Sequence, residues 1–452
     1  MVNDMTRGKP VKILMIFMLP MLLGNIFQQL YNIVDTVIVG NYVGSDALAA
    51  VGSTAAMVFL LVAVAMGLSM GCSVLISQYF GAGDKKNMRR AVFTSMVFIL
   101  AVGVVVSVLG LAISDWLLHL IQTPANIYEG ASTYINIYYM GCIFLFTYNG
   151  LAAICRAVGD SKTPLYFLIV AALLNIVLDL VFVIYFNMGV AGVAWATLIA
   201  QGVSAVTCLI YVYFKVPVLK LHREDCVFDF KMLKDLLAYA IPSTVQQCIV
   251  SFSMMAIQGL VNSFGSVFIA GYTAATKIDS IAIQPLLSVT MSLSTFTAQN
   301  IGAGRTERVY EGFKVTILIV VVMCLAISGL IFLFGDVFIG AFVDSVADAG
   351  VIQVGVEYIR IVSVFYVVMG LMFSAGSVLR GAGDATAFMM GSLSNFVVRI
   401  AAAYILAGMI GSSAIWWSIP MGWGVGLVVN YIRYRSKKWE NKAIISKKQV
   451  EA

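Results

Sequence analysis

The chain alternates long apolar runs with short connectors, and this alternation sets the architecture. Twelve runs are each long enough for the roughly 20 helical residues that cross a bilayer. They cover 13–39, 48–78, 92–118, 132–155, 164–186, 191–214, 236–261, 267–299, 315–342, 357–379, 386–408 and 412–432. Several exceed the minimum, so tilt or bending is expected. Within the first run, Asn25, Gln28, Asn32 and Asp35 recur at spacings of three and four, which puts them on one helical face. Such a stripe needs a wet cavity or a partner helix rather than lipid.

The two halves repeat one another in order. Pro20 pairs with Pro242, and Gln78–Tyr79–Phe80–Gly81–Ala82–Gly83 with Gln299–Asn300–Ile301–Gly302–Ala303–Gly304. Tyr134 pairs with Tyr358, Arg156–Ala157–Val158–Gly159–Asp160 with Arg380–Gly381–Ala382–Gly383–Asp384, Asn175 with Asn395, and Trp195 with Trp417. All fall at offsets of 220 to 224 residues, too regular for chance. Six spans per half give both halves the same orientation. The expected fold is therefore an all-α polytopic membrane protein, with two six-helix lobes related by a parallel, pseudo-twofold repeat. Transporters built this way place substrate near the midplane between the repeats and rock them to alternate access. The expected divisions are an N-terminal lobe over 1–215, a cytoplasmic linker over 216–235 that tolerates relative motion, a C-terminal lobe over 236–432 and a basic tail over 433–452.

Composition agrees. Hydrophobic residues make up 61% of the chain and charged residues 11%, against about 25% charged in soluble domains. Lipid must solvate most of this surface. Basic residues crowd alternate connectors: Arg7, Lys9 and Lys12; Lys85, Lys86, Arg89 and Arg90; Lys215 to Lys234; Arg305, Arg308 and Lys314; and the tail through Lys447 and Lys448. The opposite connectors, near 40–47, 119–131, 187–190, 262–266, 343–356 and 409–411, contain no Lys or Arg. This asymmetry places both termini in the cytoplasm. The net charge of +6 thus speaks of topology, not of nucleic acid. The seven Cys lack metal-ligand spacing and read as small buried hydrophobes.

An ionisable residue within the bilayer is costly and marks a functional site by default. Asp35 sits in the first run with Pro20, which removes a backbone hydrogen bond and permits a kink suited to a gate. Asp179 lies in the fifth run, with Asn175 one turn earlier. Thr197 and Gln201, Tyr134 and Asn149 supply nearby polar groups from the sixth and fourth runs. The second half departs from this pattern. Arg399 stands where the repeat puts Asp179, and Lys277 and Asp279 share the eighth run, where a local charge pair is the simpler reading. Arg399 has three open roles: orienting the second half, binding an anionic group, or pairing with Asp279. The Gly-Ala-Gly ends read as helix stops, since no strand or Lys-Ser/Thr makes them a phosphate loop.

The paired Gln-x-x-Gly-Ala-Gly ends, the stretch Cys155–Arg156–Ala157–Val158–Gly159–Asp160–Ser161–Lys162–Thr163–Pro164, and Asp35 in a Pro-bearing first span resemble the MATE (multidrug and toxic compound extrusion) family over essentially the whole chain. The resemblance implies two lobes around a V-shaped cavity and efflux of organic cations in exchange for H⁺ or Na⁺, with no enzyme activity and no cofactor besides the coupling ion. Its DinF-type branch implies a first-lobe cation site, similar here to Asp35, Asn175, Asp179 and Thr197, with Tyr134, Asn149, Gln28 and Gln201 in support. The NorM-type branch carries carboxylates in spans 7 and 10. Here span 7 offers Gln246, Gln247 and Gln258, and span 10 only Glu357 at its edge.

The mechanism expected from these residues is exchange. Two buried carboxyls can share a proton near neutral pH, since burial and mutual repulsion both disfavour double ionisation. With Asn and Thr oxygens they can instead hold Na⁺, a hard cation that prefers oxygen. The implied partners are small cationic or amphipathic molecules and the lipid of the plasma membrane, handled by a monomer. Three other readings remain: a lipid-linked precursor flippase of the same superfamily, which would want a basic cavity; an intramembrane enzyme; and a channel or receptor.

Overall fold

A computed structural model describes residues 2–341 and 349–443. Lys447, Lys448 and positions 343–348 of one expected outer connector lie outside the described residues. The described chain is helical throughout: α1 Pro10–Ile38, α2 Ser45–Gly81, α3 Lys85–Leu120, α4 Ala125–Ala157, α5 Lys162–Leu180, α6 Gly189–Lys215, α7 Phe230–Asn262, α8 Ser266–Ala282, α9 Gln284–Gly302, α10 Thr306–Gly340, α11 Ala349–Val364, α12 Tyr366–Ala382, α13 Ala385–Ile410 and α14 Ser413–Arg435.

Among the described residues, ten helical stretches are long and apolar enough to cross a membrane, counting α8–α9 as one. The pair α11–α12, bent by 50° at Phe365, brings the number to eleven. The twelfth element, α14, has 23 residues, ample length for a span, but Trp, Gly and Ser dilute its apolarity. Most helices outrun the apolar runs that announce them. The third begins at Lys85 rather than 92, because a helix continues past the hydrocarbon into the interface, where Lys and Arg are well solvated.

The chain folds as two compact units, and their boundary runs through helices. One unit holds Leu23–Thr244 with the N-terminal residues up to Asp4; the other holds Met5–Leu22 and the described residues from Val245 onward. The start of α1 thus belongs to the second unit and the start of α7 to the first. Each change of unit comes two residues after a proline, Pro20 in α1 and Pro242 in α7. In the first unit α7 comes very close to α2: a Cβ at Gly71 would lie 2.6 Å from the Ala240 Cα, and one at Gly67 2.4 Å from the Thr244 Cα. In the second unit, buried Leu14 and Phe17 of α1 join Leu293 and Phe296 in one apolar cluster.

The N-terminal strap is held in the second unit by polar contacts. Met5 N–H donates to Gln299 Oε1 (2.9 Å), Arg305 donates to the Thr6 carbonyl (2.7 Å), and Arg308 to the Gly8 carbonyl (2.9 Å). The segment before α7 is likewise packed in the first unit: Asp225 is buried against Arg89 (2.7 Å), and Asp229 N–H donates to Thr94 Oγ1 (3.2 Å).

The repeat extends to individual hydrogen bonds. At the first elbow Ala82 N–H reaches Gln78 O (3.0 Å) and Asp84 N–H reaches Tyr79 O (3.1 Å); at the second, Ala303 reaches Gln299 O (3.0 Å) and Arg305 reaches Asn300 O (2.8 Å). Gly83 and Gly304 take φ of +74° and +69°, which suits a residue without Cβ. Lipid exposure repeats as well. Of the most apolar stretch, 61% is buried in both α2 and α8–α9, but only 17% in both α3 and α10.

Candidate functional site

In the first unit, α1, α4, α5 and α6 bring one polar cluster together. Asp179 and Asn175 are fully buried on α5, and Thr197 faces them from α6. Asn175 Nδ2 donates to Thr197 Oγ1 (3.3 Å), which leaves Asn175 Oδ1 buried with no partner. The Asp35 carboxyl of α1 lies close enough to the Asp179 carboxyl for the two to act on one another. Asp35 Oδ1 and both Asp179 oxygens accept no hydrogen bond, and no basic residue is among the groups that act on either carboxyl.

Two ionised carboxylates cannot share this place empty. Like charges about 4 Å apart repel by roughly 4 kcal/mol at an effective dielectric of about 20, before any cost of desolvation. A proton held between the carboxyls relieves this, as does a small cation bound by their oxygens with Asn175 Oδ1 and Thr197 Oγ1. The donor set consists of oxygens alone, as a hard cation requires.

Tyrosines surround the pair. Tyr134 is buried on α4 and stacks with Tyr138 at 6.3 Å between ring centroids. Tyr138 lies near Gln201, and Tyr31 of α1 near Thr197. Tyr31 and Tyr138 are absent from the sequence-derived set. Their signal was present: each lies one helical turn from a chosen residue, Tyr31 from Asp35 and Tyr138 from Tyr134.

Two expected members stand elsewhere. Asn149 donates to the Leu145 carbonyl of its own helix (2.9 Å), and 15 residues of α4 separate it from Tyr134, roughly 22 Å along the axis. The expectation that it supports the site is therefore corrected; choosing it by element ignored its depth in the helix. Gln28 is exposed on α1, as is Asn32.

Backbone irregularities flank the pair. Wide helical turns, with bonds from residue i+5 to i, cover Val39–Val43 after Asp35 and Val181–Tyr185 after Asp179. Gly44 N–H reaches Val39 O (3.1 Å) and Phe186 N–H reaches Val181 O (3.0 Å). Such turns recur at functional sites, because an extra residue loosens the ladder and re-aims side chains.

The second unit builds a different cluster at the related place. Asp279 of α8 accepts from Tyr366 Oη at Oδ1 (2.5 Å) and from Tyr358 Oη at Oδ2 (3.3 Å). Arg399 is close enough for its charge to act on Asp279. The groups that act on Asp279 are Tyr366, Arg399 and Tyr358. Lys277 is exposed. Arg360 of α11 pairs with the exposed Asp336 of α10 (2.6 Å). Among the described residues, no group of three or more His, Cys, Asp and Glu is arranged to hold a metal ion.

The family pattern described as MatE matches residues 20–181 and 242–405, one block in each half. The chain belongs to the MatE family. The two blocks begin at Pro20 and Pro242, the prolines at the unit boundary. The chain is 29% identical over 452 residues to the probable multidrug resistance protein YpnP of Bacillus subtilis (strain 168), covering 98% of this chain and 99% of that one. It is 28% identical to the probable multidrug resistance protein YoeA of the same organism, covering 95% and 94%. Among solved structures it resembles the outward-facing conformation of a multidrug resistance MATE family transporter of the MOP superfamily, with a TM-score of 0.90, 25% identity, and 96% and 97% of the two chains covered. This MatE chain is a membrane transporter, not an enzyme.

Proposed function

We propose that this MatE protein exports small cationic or amphipathic molecules, multidrug substrates among them, in exchange for H⁺ or Na⁺ at the Asp35–Asp179 pair. The observation that carries this reading is a buried pair of carboxyls with three unpartnered oxygens and no basic neighbour. Such a pair is stable only while it holds a proton or a small cation. Loading from outside neutralises the pair, and unloading to the inside restores its charge. Asp35 is the moving member. It stands on a helix that carries Pro20 and a wide turn at Val39–Val43, whereas Asp179 is enclosed on α5. Asn175 and Thr197 supply further oxygens, and Asn175 donates to the Thr197 hydroxyl.

The membrane potential contributes about 2.3 kcal/mol for each charge moved through 100 mV, roughly a 50-fold gradient. A one-for-one swap with a monovalent cation moves no net charge and draws on the ion gradient alone. The arrangement fits the DinF-type pattern, with the ion site in the first unit and none in α7. The protein works as a monomer in the plasma membrane, with both termini in the cytoplasm as the distribution of basic residues requires. Multidrug resistance is also the activity carried in the names of YpnP and YoeA.

The test is ethidium uptake into inverted membrane vesicles with pH and Na⁺ gradients imposed separately. One of the gradients should drive uptake. Uptake that ignores both would refute the reading, and uptake that appears only with ATP would point to a different energy source.

A further inference from the structure

Arg399 occupies the position that the repeat relates to Asp179, so the two units carry opposite charge at corresponding places. Asp279 is already complete as a carboxylate, since each of its oxygens accepts a tyrosine hydroxyl. Arg399 has no such completion. Its Nε is buried without a partner, and among the described residues the guanidinium makes no hydrogen bond and no ion pair. Its charge nevertheless acts on Asp279, Tyr272 and Tyr358, so it stands near them with a gap between.

The stem of Arg399 is fixed. A Cβ at Gly422 of α14 would lie 3.0 Å from the Arg399 Cβ and 2.7 Å from the Asn395 carbonyl, so α13 and α14 pack closely at this level. The wall is rigid and aromatic: Trp416 stacks on Tyr272 at 5.9 Å and meets Tyr358 edge-on at 5.0 Å. A half-buried cation whose Nε is enclosed and unpartnered, with a fixed stem and a nearby satisfied carboxylate, is incomplete in its hydrogen bonds. The group that completes it is a planar oxyanion, which a guanidinium grips with two parallel bonds.

We propose that Arg399 anchors the carboxylate of amphiphilic substrates in the second unit, with the Tyr272, Tyr358 and Trp416 rings beside it. Asp279 offsets the cost of holding the guanidinium when no substrate is bound. The chain then prefers molecules that carry a carboxylate over otherwise equal cations. This rests on the export reading above for its substrates, but its test needs neither gradient nor transport.

The probe pair is rhodamine B, a zwitterion with a free carboxylate, and its ethyl ester, a cation of nearly the same shape. Binding to the full-length protein in detergent is read by fluorescence anisotropy. The wild type should bind the acid at least about threefold more tightly than the ester. Arg399→Ala should weaken acid binding about tenfold or more, as expected for a lost charged hydrogen bond, and change ester binding by less than about twofold. Arg399→Lys should keep part of the preference, because a point charge replaces the fork. Equal binding of acid and ester by the wild type overturns the proposal without any variant, and so does equal loss of both dyes in Arg399→Ala. Ester uptake that fails in wild-type vesicles would count against the export reading instead, and leave the binding preference to stand or fall by itself.

Discussion

At the scale of single residues, the first-unit site divides into groups that carry charge and groups that hold them. Thr197→Ala removes the hydroxyl that accepts from Asn175 and leaves a buried amide unpaired, a loss of about 1–3 kcal/mol. The expected result is an ion affinity weakened about tenfold or more with normal expression, read as a higher ion concentration for half-maximal transport. Asn149→Ala removes only a bond to its own helix and should leave ion dependence within about twofold of wild type. Asp35, Asp179, Asn175 and Thr197 were legible in the sequence because polar atoms in an apolar run have few explanations. Tyr31 and Tyr138 stand out from the 20 tyrosines of the chain only by lying one helical turn from Asp35 and Tyr134, a weak signal. A tyrosine in a membrane helix is ordinary until a polar neighbour stands beside it, and the neighbours of these two, Thr197 and Gln201, lie on another helix.

At the scale of elements, the polar groups of both units sit beside breaks in helical regularity. Asp35 and Asp179 precede the wide turns, Asp279 precedes the junction at Ile283, and Tyr366 follows the bend at Phe365. Hydropathy foretold the helices and loops but not these breaks, since each interrupts an apolar run without changing its composition. Pro285 was the one visible signal, at the start of α9. The elbows, in contrast, were readable from Gly-Ala-Gly and Gly-Asp, because only a few residues suit a left-handed turn. Gly304→Ala should destabilise the second unit by about 1–2 kcal/mol, seen as a lower melting temperature in detergent. Gly71→Leu should do more harm, since even a Cβ would meet the backbone of α7 at Ala240. The expected readout is a drop in folded yield larger than that of Gly304→Ala.

At the scale of the whole molecule, the repeat was plain in the sequence but the course of the unit boundary was not. The linker seemed the natural divide because it is charged and lies between the halves. In the structure the units change partway along α1 and α7, where only Pro20 and Pro242 hint at it. The linker itself is packed rather than loose. Burial works against the charge of Asp225, but the His222 N–H and the neighbouring Arg89 outweigh it and hold this carboxyl below the usual carboxylate range. A lowered carboxyl stabilises the fold above its ordinary value and loses that contribution only as pH falls through the lowered one. Asp225→Asn should therefore melt earlier than wild type at neutral pH. The difference should remain full down to about pH 5 and close only below the ordinary value of about 3.9.

The central claim is that Asp35 and Asp179 trade a small cation for substrate. Its most direct measurement is the ion displaced when ethidium binds purified protein: proton release in weakly buffered detergent solution, with sodium release followed in parallel. One of the two ions should appear in the wild type, and neither should appear in Asp35→Asn at equal folded protein. Equal release by wild type and Asp35→Asn, or ethidium binding that displaces neither ion from the wild type, would contradict the account.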